Sequence, residues 1–152
     1  MTDINKYPII NYNYAKVSKQ RLLKLSSIDE PVLSVSVNDN DSIEIIYLEY
    51  ENKYVVLEAI PDCCNYVRFE EYKNDKFMNL IDEQIESISY IDSIELNFSN
   101  MQEYDDNMLY EIKCKSGKSI NFLLRNSHNG YYNGSIDIYC INKSDLMQQL
   151  IN

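Results

Sequence analysis

The chain has 152 residues, 45% hydrophobic and 25% charged, a globular composition long enough for one domain to bury a core and unlike that of disordered or fibrous chains. No apolar run approaches the ~18 residues of a membrane span, and Met1-Thr2-Asp3-Ile4-Asn5 lacks a signal peptide's apolar segment, so a cytoplasmic protein without membrane contact is expected. A net charge of −10 and a pI near 4.5 argue against long DNA or RNA as a partner, but a pocket with one or two cations could still hold a small nucleotide.

Residues 1–30 read as an N-terminal arm with a short helix. Thr2 to Tyr14 is polar and tyrosine-rich, and Val17 to Leu25 sets leucines against Lys19, Arg21 and Lys24 as an amphipathic turn would. From 31 to 141 the apolar period is two. Leu33, Val35 and Val37 alternate with serines, and Asn38-Asp39-Asn40-Asp41 breaks the strand. Ser42–Tyr50 and Lys53–Ile60 read as a hairpin turning at Glu51-Asn52 and ending at Pro61. Asn74–Ile81 suggests a short helix, Ile85–Ile91 and Ser93–Phe98 two strands, and Glu103-Tyr104-Asp105-Asp106 an acidic loop.

The strongest hairpin signal follows. Tyr110, Ile112 and Cys114 share a phase with Ile120, Phe122 and Leu124 across Ser116-Gly117, and Ser135–Ile141 is a further strand. Residues 142–152 form a C-terminal helix capped by Asn142. These elements predict a single α+β domain, mainly an antiparallel curved or partly closed β-sheet with a few short helices packed on one face or end.

The four cysteines include no Cys-x-x-Cys pair and accompany a single histidine, His128. A metal site is therefore not expected, no cofactor is implied, and a disulfide framework fits poorly. Cys114 and Cys140 fall in apolar strand phases and read as small core residues. No Gly-rich phosphate loop, Gly-x-Ser-x-Gly elbow or His-Glu-x-x-His occurs. A Cys63 or Cys64 thiolate with His128 is chemically conceivable, and so are the acid pairs Glu70-Glu71 and Asp105-Asp106, yet adjacent acids in so acidic a chain are normally solvated surface. The expectation is a protein without catalysis.

Two segments interrupt the alternation. Asp62-Cys63-Cys64-Asn65 follows a strand end, and Arg125-Asn126-Ser127-His128-Asn129-Gly130-Tyr131-Tyr132-Asn133-Gly134 joins two strands; the candidate ligand-binding residues are Asp62 to Asn65, Arg125 to Asn129, Tyr131 and Tyr132. Asn129-Gly130 and Asn133-Gly134 suit sharp turns, and a hairpin loop satisfying its own backbone accounts for the same residues. As a binding loop, Arg125 would pair an anion, Asn126 and Asn129 would hydrogen-bond a planar polar group, and Tyr131 or Tyr132 would stack on a ring.

Together the two segments resemble the signatures of a family of small uncharacterised proteins found mainly in phages and large DNA viruses, over roughly Ala59 to Ile141. His128 stands where a second serine is expected, and Asn133 where glycine is commoner. The use of residues with AT-rich codons suits such a source. The resemblance implies a viral accessory protein. Its expected partner is a small nucleotide-like signalling ligand, sequestered to counter host defence. The alternatives are docking onto a host or viral protein, or a place in the virion, and exposed tyrosines and strand edges also suit a homo-oligomer.

Overall fold

The computed structural model describes residues 19–22, 25, 28–38, 42–94, 104–128 and 133–146, the side chains of Tyr104 and His128 excepted. The expected N-terminal arm before residue 19, residues 129–132 of the expected binding loop and the part of the expected C-terminal helix beyond residue 146 lie outside these.

Among the described residues, nine strands form two antiparallel sheets. They are β1 (Lys19–Arg21), β2 (Ser34–Val37), β3 (Ile45–Glu49), β4 (Lys53–Pro61), β5 (Tyr66–Glu71), β6 (Ile85–Ile94), β7 (Tyr104–Cys114), β8 (Ser119–His128) and β9 (Gly134–Asn142). The first sheet has the order β1-β9-β4-β3-β2 and the second β5-β8-β7-β6. Between them lies one apolar core, to which Val35, Ile46, Leu48, Val55 and Leu57 come from the first sheet and Val67, Phe69, Ile112, Phe122 and Leu124 from the second. The chain is thus mainly antiparallel β with short helical turns, within the α+β class expected, but its strands divide between two facing sheets where one curved sheet was anticipated.

The division explains why β3, β4 and β9 are apolar in both phases. Their second phase (Tyr47, Val56, Tyr139 and Ile141) is buried on the outer side of the first sheet, with Leu146 of the helical turn 143–146 packed against it. Strands covered on both faces lose the clean alternation of half-exposed ones.

The hairpins expected at Glu51-Asn52 and Ser116-Gly117 are present, whereas the hairpin reading of Arg125 to Gly134 is corrected: β8 and β9 lie in different sheets, and Arg125 to His128 belong to β8. Tyr50 donates its amide to the Lys53 carbonyl at 2.8 Å, closing the β3–β4 turn over Glu51-Asn52. Between β7 and β8, Gly117 adopts φ +95°, a conformation glycine reaches without a Cβ clash, and its amide donates to the Cys114 carbonyl at 3.0 Å. The middle helix is a 3₁₀ turn, Phe77–Leu80, with both end residues buried and Phe77 packed on Phe122 at 5.6 Å between ring centroids.

Three further expectations are corrected, and one unassigned segment is a strand. The helix expected over Val17–Leu25 is replaced at Lys19–Arg21 by a strand pairing with Tyr139–Ile141, because an open strand edge offers backbone partners in register and three residues of helical preference are a weak counterweight. Ile85–Ile91 and the start of the next expected strand are one strand, β6, kinked by irregularities at Ile85/Ser87 and Tyr90/Asp92. Asp105 and Asp106, expected in a loop, belong to β7. Tyr66–Glu71, left unassigned from sequence, is β5, the edge strand of the second sheet along β8.

Candidate ligand-binding site

The chain passes between the sheets twice at one end of the molecule, from β4 to β5 and from β8 to β9. Since β4 pairs with β9 and β5 with β8, the crossovers are neighbours: Pro61 lies opposite Gly134 and Tyr66 opposite Ser127. The two segments singled out from sequence therefore adjoin. Asn65 joins them: its Oδ1 accepts the Asp62 amide at 2.9 Å, while its Nδ2 donates to Asn126 Oδ1 at 2.9 Å and to the Asn133 carbonyl at 3.1 Å. Asn126 is buried, so its amide ties the crossover to the sheet and is not presented to solvent. Cys63 and Cys64 are paired in a vicinal disulfide on this exposed loop, a pairing not expected from sequence. Cys114 and Cys140 are buried free thiols in the core, as their phase predicts; burial pushes the Cys114 thiol up from its ordinary value.

On the outer face of the second sheet, period two places Tyr66, Arg68 and Glu70 of β5 beside Arg125 and Ser127 of β8 and Asp105 of β7. Arg125 is gripped by two carboxylates. Its Nε lies 3.1 and 3.0 Å from the Asp105 oxygens, its Nη2 2.6 Å from Asp105 Oδ2, and its Nη1 2.9 Å from Glu70 Oε1. The bonds to Asp105 first, and then those to Glu70, hold its pKa above the ordinary arginine value. The anion Arg125 meets is thus supplied by the chain itself.

Arg68 lies directly opposite Arg125 in the β5–β8 register and has a different environment. It is only 9% exposed. Its Nη1 donates to Ser127 Oγ at 2.8 Å and to the Tyr66 carbonyl at 3.2 Å, and its guanidinium lies 4.5 Å from the centroid of the Tyr66 ring. Burial first, and then the Arg125 charge, lower its pKa, yet a guanidinium stays protonated at any physiological pH. Among the described residues it forms no ion pair. Asp105 and Glu70 act on it only from beyond ion-pair distance, so its direct contacts among the described residues are all neutral.

Arg68 forms part of the wall of an open cleft of about 490 Å³ along the free edge of β5, with Ser42, Tyr66, Glu70, Glu71 and Lys76 among the other lining residues. The cleft exists because Ile43 bridges Phe69, with the Phe69 amide donating to the Ile43 carbonyl at 2.7 Å. That bridge brings Ser42 to Tyr66, whose hydroxyl donates to Ser42 Oγ. Lys76 and Glu71 are 3.8 Å apart, and Glu71 Oε2 also accepts the Phe77 amide at 2.7 Å. Among the described residues no group of three His, Cys, Asp or Glu side chains could hold a metal.

Asp62, Cys63, Cys64, Asn65, Asn126 and Ser127 thus converge with Arg125 on one end of the molecule. His128 is at the end of β8 with its side chain outside the described residues, as are Asn129, Tyr131 and Tyr132 altogether. Ser42, Tyr66, Arg68 and Lys76 were missed. A signal for Arg68 was present: it is one of three arginines in the chain, and Tyr66, Arg68 and Glu70 alternate with the apolar Val67 and Phe69.

No family model matches the chain, and no solved structure matches it. A protein of Acanthamoeba polyphaga mimivirus, described as "Uncharacterized protein L278", is 32% identical over 108 residues, an alignment spanning 71% of this chain and 86% of the relative. No described helix is long and apolar enough to cross a membrane. With identity at that level over most of the relative's length, the chain belongs to the same family as this large-DNA-virus protein.

Proposed function

We propose that the protein is a viral accessory protein without catalysis, which works by occupancy and sequesters a small nucleotide signalling molecule of host defence. The observation that carries this reading is Arg68, a buried guanidinium without a carboxylate partner among the described residues, at the wall of a cleft with an aromatic side. Phosphate suits a guanidinium fork, and the Tyr66 ring, 44% exposed, offers a surface on which a base can stack. A cleft of about 490 Å³ falls within the range of small-molecule sites. The relative from a large DNA virus supports the viral setting.

A thermal-shift screen of the purified protein against linear and cyclic nucleotides, with mass spectrometry of the recovered ligand, tests the reading. A ligand at ~100 times its Kd stabilises the native state by about 2.7 kcal/mol. The expected result is a shift with one nucleotide class, recovered intact, that Arg68→Gln abolishes. Recovery of a cleaved nucleotide would contradict the non-catalytic reading, and the absence of any shift would favour a surface that docks on another protein.

A further inference from the structure

Around the cleft three carboxylates, Glu70, Asp105 and Glu71, face three cations, Arg125, Lys76 and Arg68, and the direct ion pairs fall to Arg125 and Lys76. Glu70 and Asp105 are both taken by Arg125, and Glu71 is held between Lys76 and the Phe77 amide. Arg68 has only neutral direct contacts among the described residues, namely the Ser127 hydroxyl, the Tyr66 carbonyl and the Tyr66 ring, with Asp105 and Glu70 acting on it from beyond ion-pair distance. An anion arriving there finds the one cation without a direct ion pair among the described residues, and Glu70 and Glu71 line the same cleft. A second or third negative charge on the ligand would face those carboxylates, at a cost that rises as the cleft fills and water leaves.

Resting on the nucleotide-binding reading, we propose that the cleft selects a phosphate diester with a single negative charge, and discriminates against phosphate monoesters and polyphosphates. The diester oxygens sit on the outward side of the Arg68 guanidinium. The Ser42 hydroxyl, which accepts the Tyr66 proton, donates its own O–H to the ligand. The base lies against the Tyr66 ring. Charge thereby sets specificity: the carboxylates that neutralise Arg125 and Lys76 also repel the wrong ligand, so that selectivity rests on repulsion as well as attraction.

The test compares ligands that share a base and differ in phosphate charge. Melting temperature is measured for the wild type with 3′,5′-cyclic mononucleotides, dinucleoside monophosphates, 5′-monophosphates and 5′-triphosphates of all four bases, and with glycerophosphocholine as a diester without a ring. A cyclic mononucleotide or dinucleoside monophosphate is expected to bind at least about tenfold more tightly than the triphosphate of the same base, equivalent to about 1.4 kcal/mol. Arg68→Gln should abolish the shift and Arg68→Lys should retain part of it.

Glu71→Gln keeps an acceptor for the Phe77 amide, removes one negative charge and releases Lys76. It is expected to bring 5′-monophosphates into the binding range, a gain that a misfolded variant cannot imitate. Equal or tighter binding of 5′-triphosphates by the wild type would overturn the charge selection and leave the nucleotide reading standing. A shift with glycerophosphocholine as large as with any nucleotide would overturn the nucleotide reading. No shift with any member of the set would overturn both.

Discussion

Arg68 and Arg125 face each other across two strands, and the chain treats them in opposite ways. Arg125 receives Asp105, whose side chain is 7% exposed, in a two-toothed grip. Truncating it would leave that carboxylate buried beside Glu70 with no direct ion pair and only the more distant Arg68 as counter-charge. Arg125→Ala is therefore expected to destabilise the fold by about 2–3 kcal/mol in urea unfolding, less than the ~3–5 kcal/mol of a fully buried pair because Glu70 is 37% exposed. A loss under ~0.5 kcal/mol would show the pair to be ornamental. The sequence marks Arg125 as special but not its partner, since Asp105 lies 20 residues away on a segment that reads as an acidic loop. Gly134 repays a similar comparison. From sequence it is a turn glycine, whereas in the fold φ is not in the left-handed region and space is the constraint: a Cβ there would lie 2.9 and 3.0 Å from the Val67 methyls. Val67 is a buried, β-branched residue with little room to rotate. Gly134→Ala is expected to cost about 1–3 kcal/mol by overpacking, and Gly134→Ala with Val67→Ala to restore part of that loss, both read by thermal unfolding.

Strands with one covered face were legible because their side chains alternate; β7 and β8 repeat the period-two pattern that places Ile112, Ile120, Phe122 and Leu124 in the core. Elements shaped by a neighbour were not. β1 is three exposed residues whose strand state is imposed by the edge of β9, and β5 hides behind Glu70 and Glu71, which look like solvated surface until Arg125 and Lys76 are brought to them. Ties between elements also set the response to acid. Glu49, at the end of β3, accepts from Lys143 Nζ at 2.6 Å and from Ser34 Oγ at 2.6 Å, and these bonds hold its carboxyl below the ordinary value. A depressed pKa contributes stability that is present above the unfolded value of about 4.3 and lost as pH falls through the lower folded one. Glu49→Gln is therefore expected to weaken the fold at neutral pH and to flatten its stability–pH curve below about pH 4.3. An unchanged slope in acid denaturation would show the ties among Lys143, Glu49 and Ser34 to be without thermodynamic weight.

Two sheets joined by neighbouring crossovers bring residues far apart in sequence to one end of the molecule, and this architecture made the meeting of the two segments inaccessible to sequence alone. Each was recognisable by composition, but their adjacency depends on β4 pairing with β9 while β5 pairs with β8. The same topology supplies Arg125 with two carboxylates and leaves Arg68, directly opposite it, as the guanidinium on which the proposed anion site rests. The acidic surface is compatible with this arrangement: a net charge of −10 repels polyanions at long range, while a single guanidinium in a cleft acts over a few ångströms. The most direct measurement is amide chemical-shift mapping of the isotopically labelled protein during titration with adenosine and guanosine 3′,5′-cyclic monophosphates. The account predicts saturable shifts centred on Ser42, Ile43, Tyr66, Arg68, Glu70, Glu71 and Lys76, with at least one of the two probes. Shifts centred on residues 129–132 with the cleft silent, or no saturable shift with either probe, would contradict it.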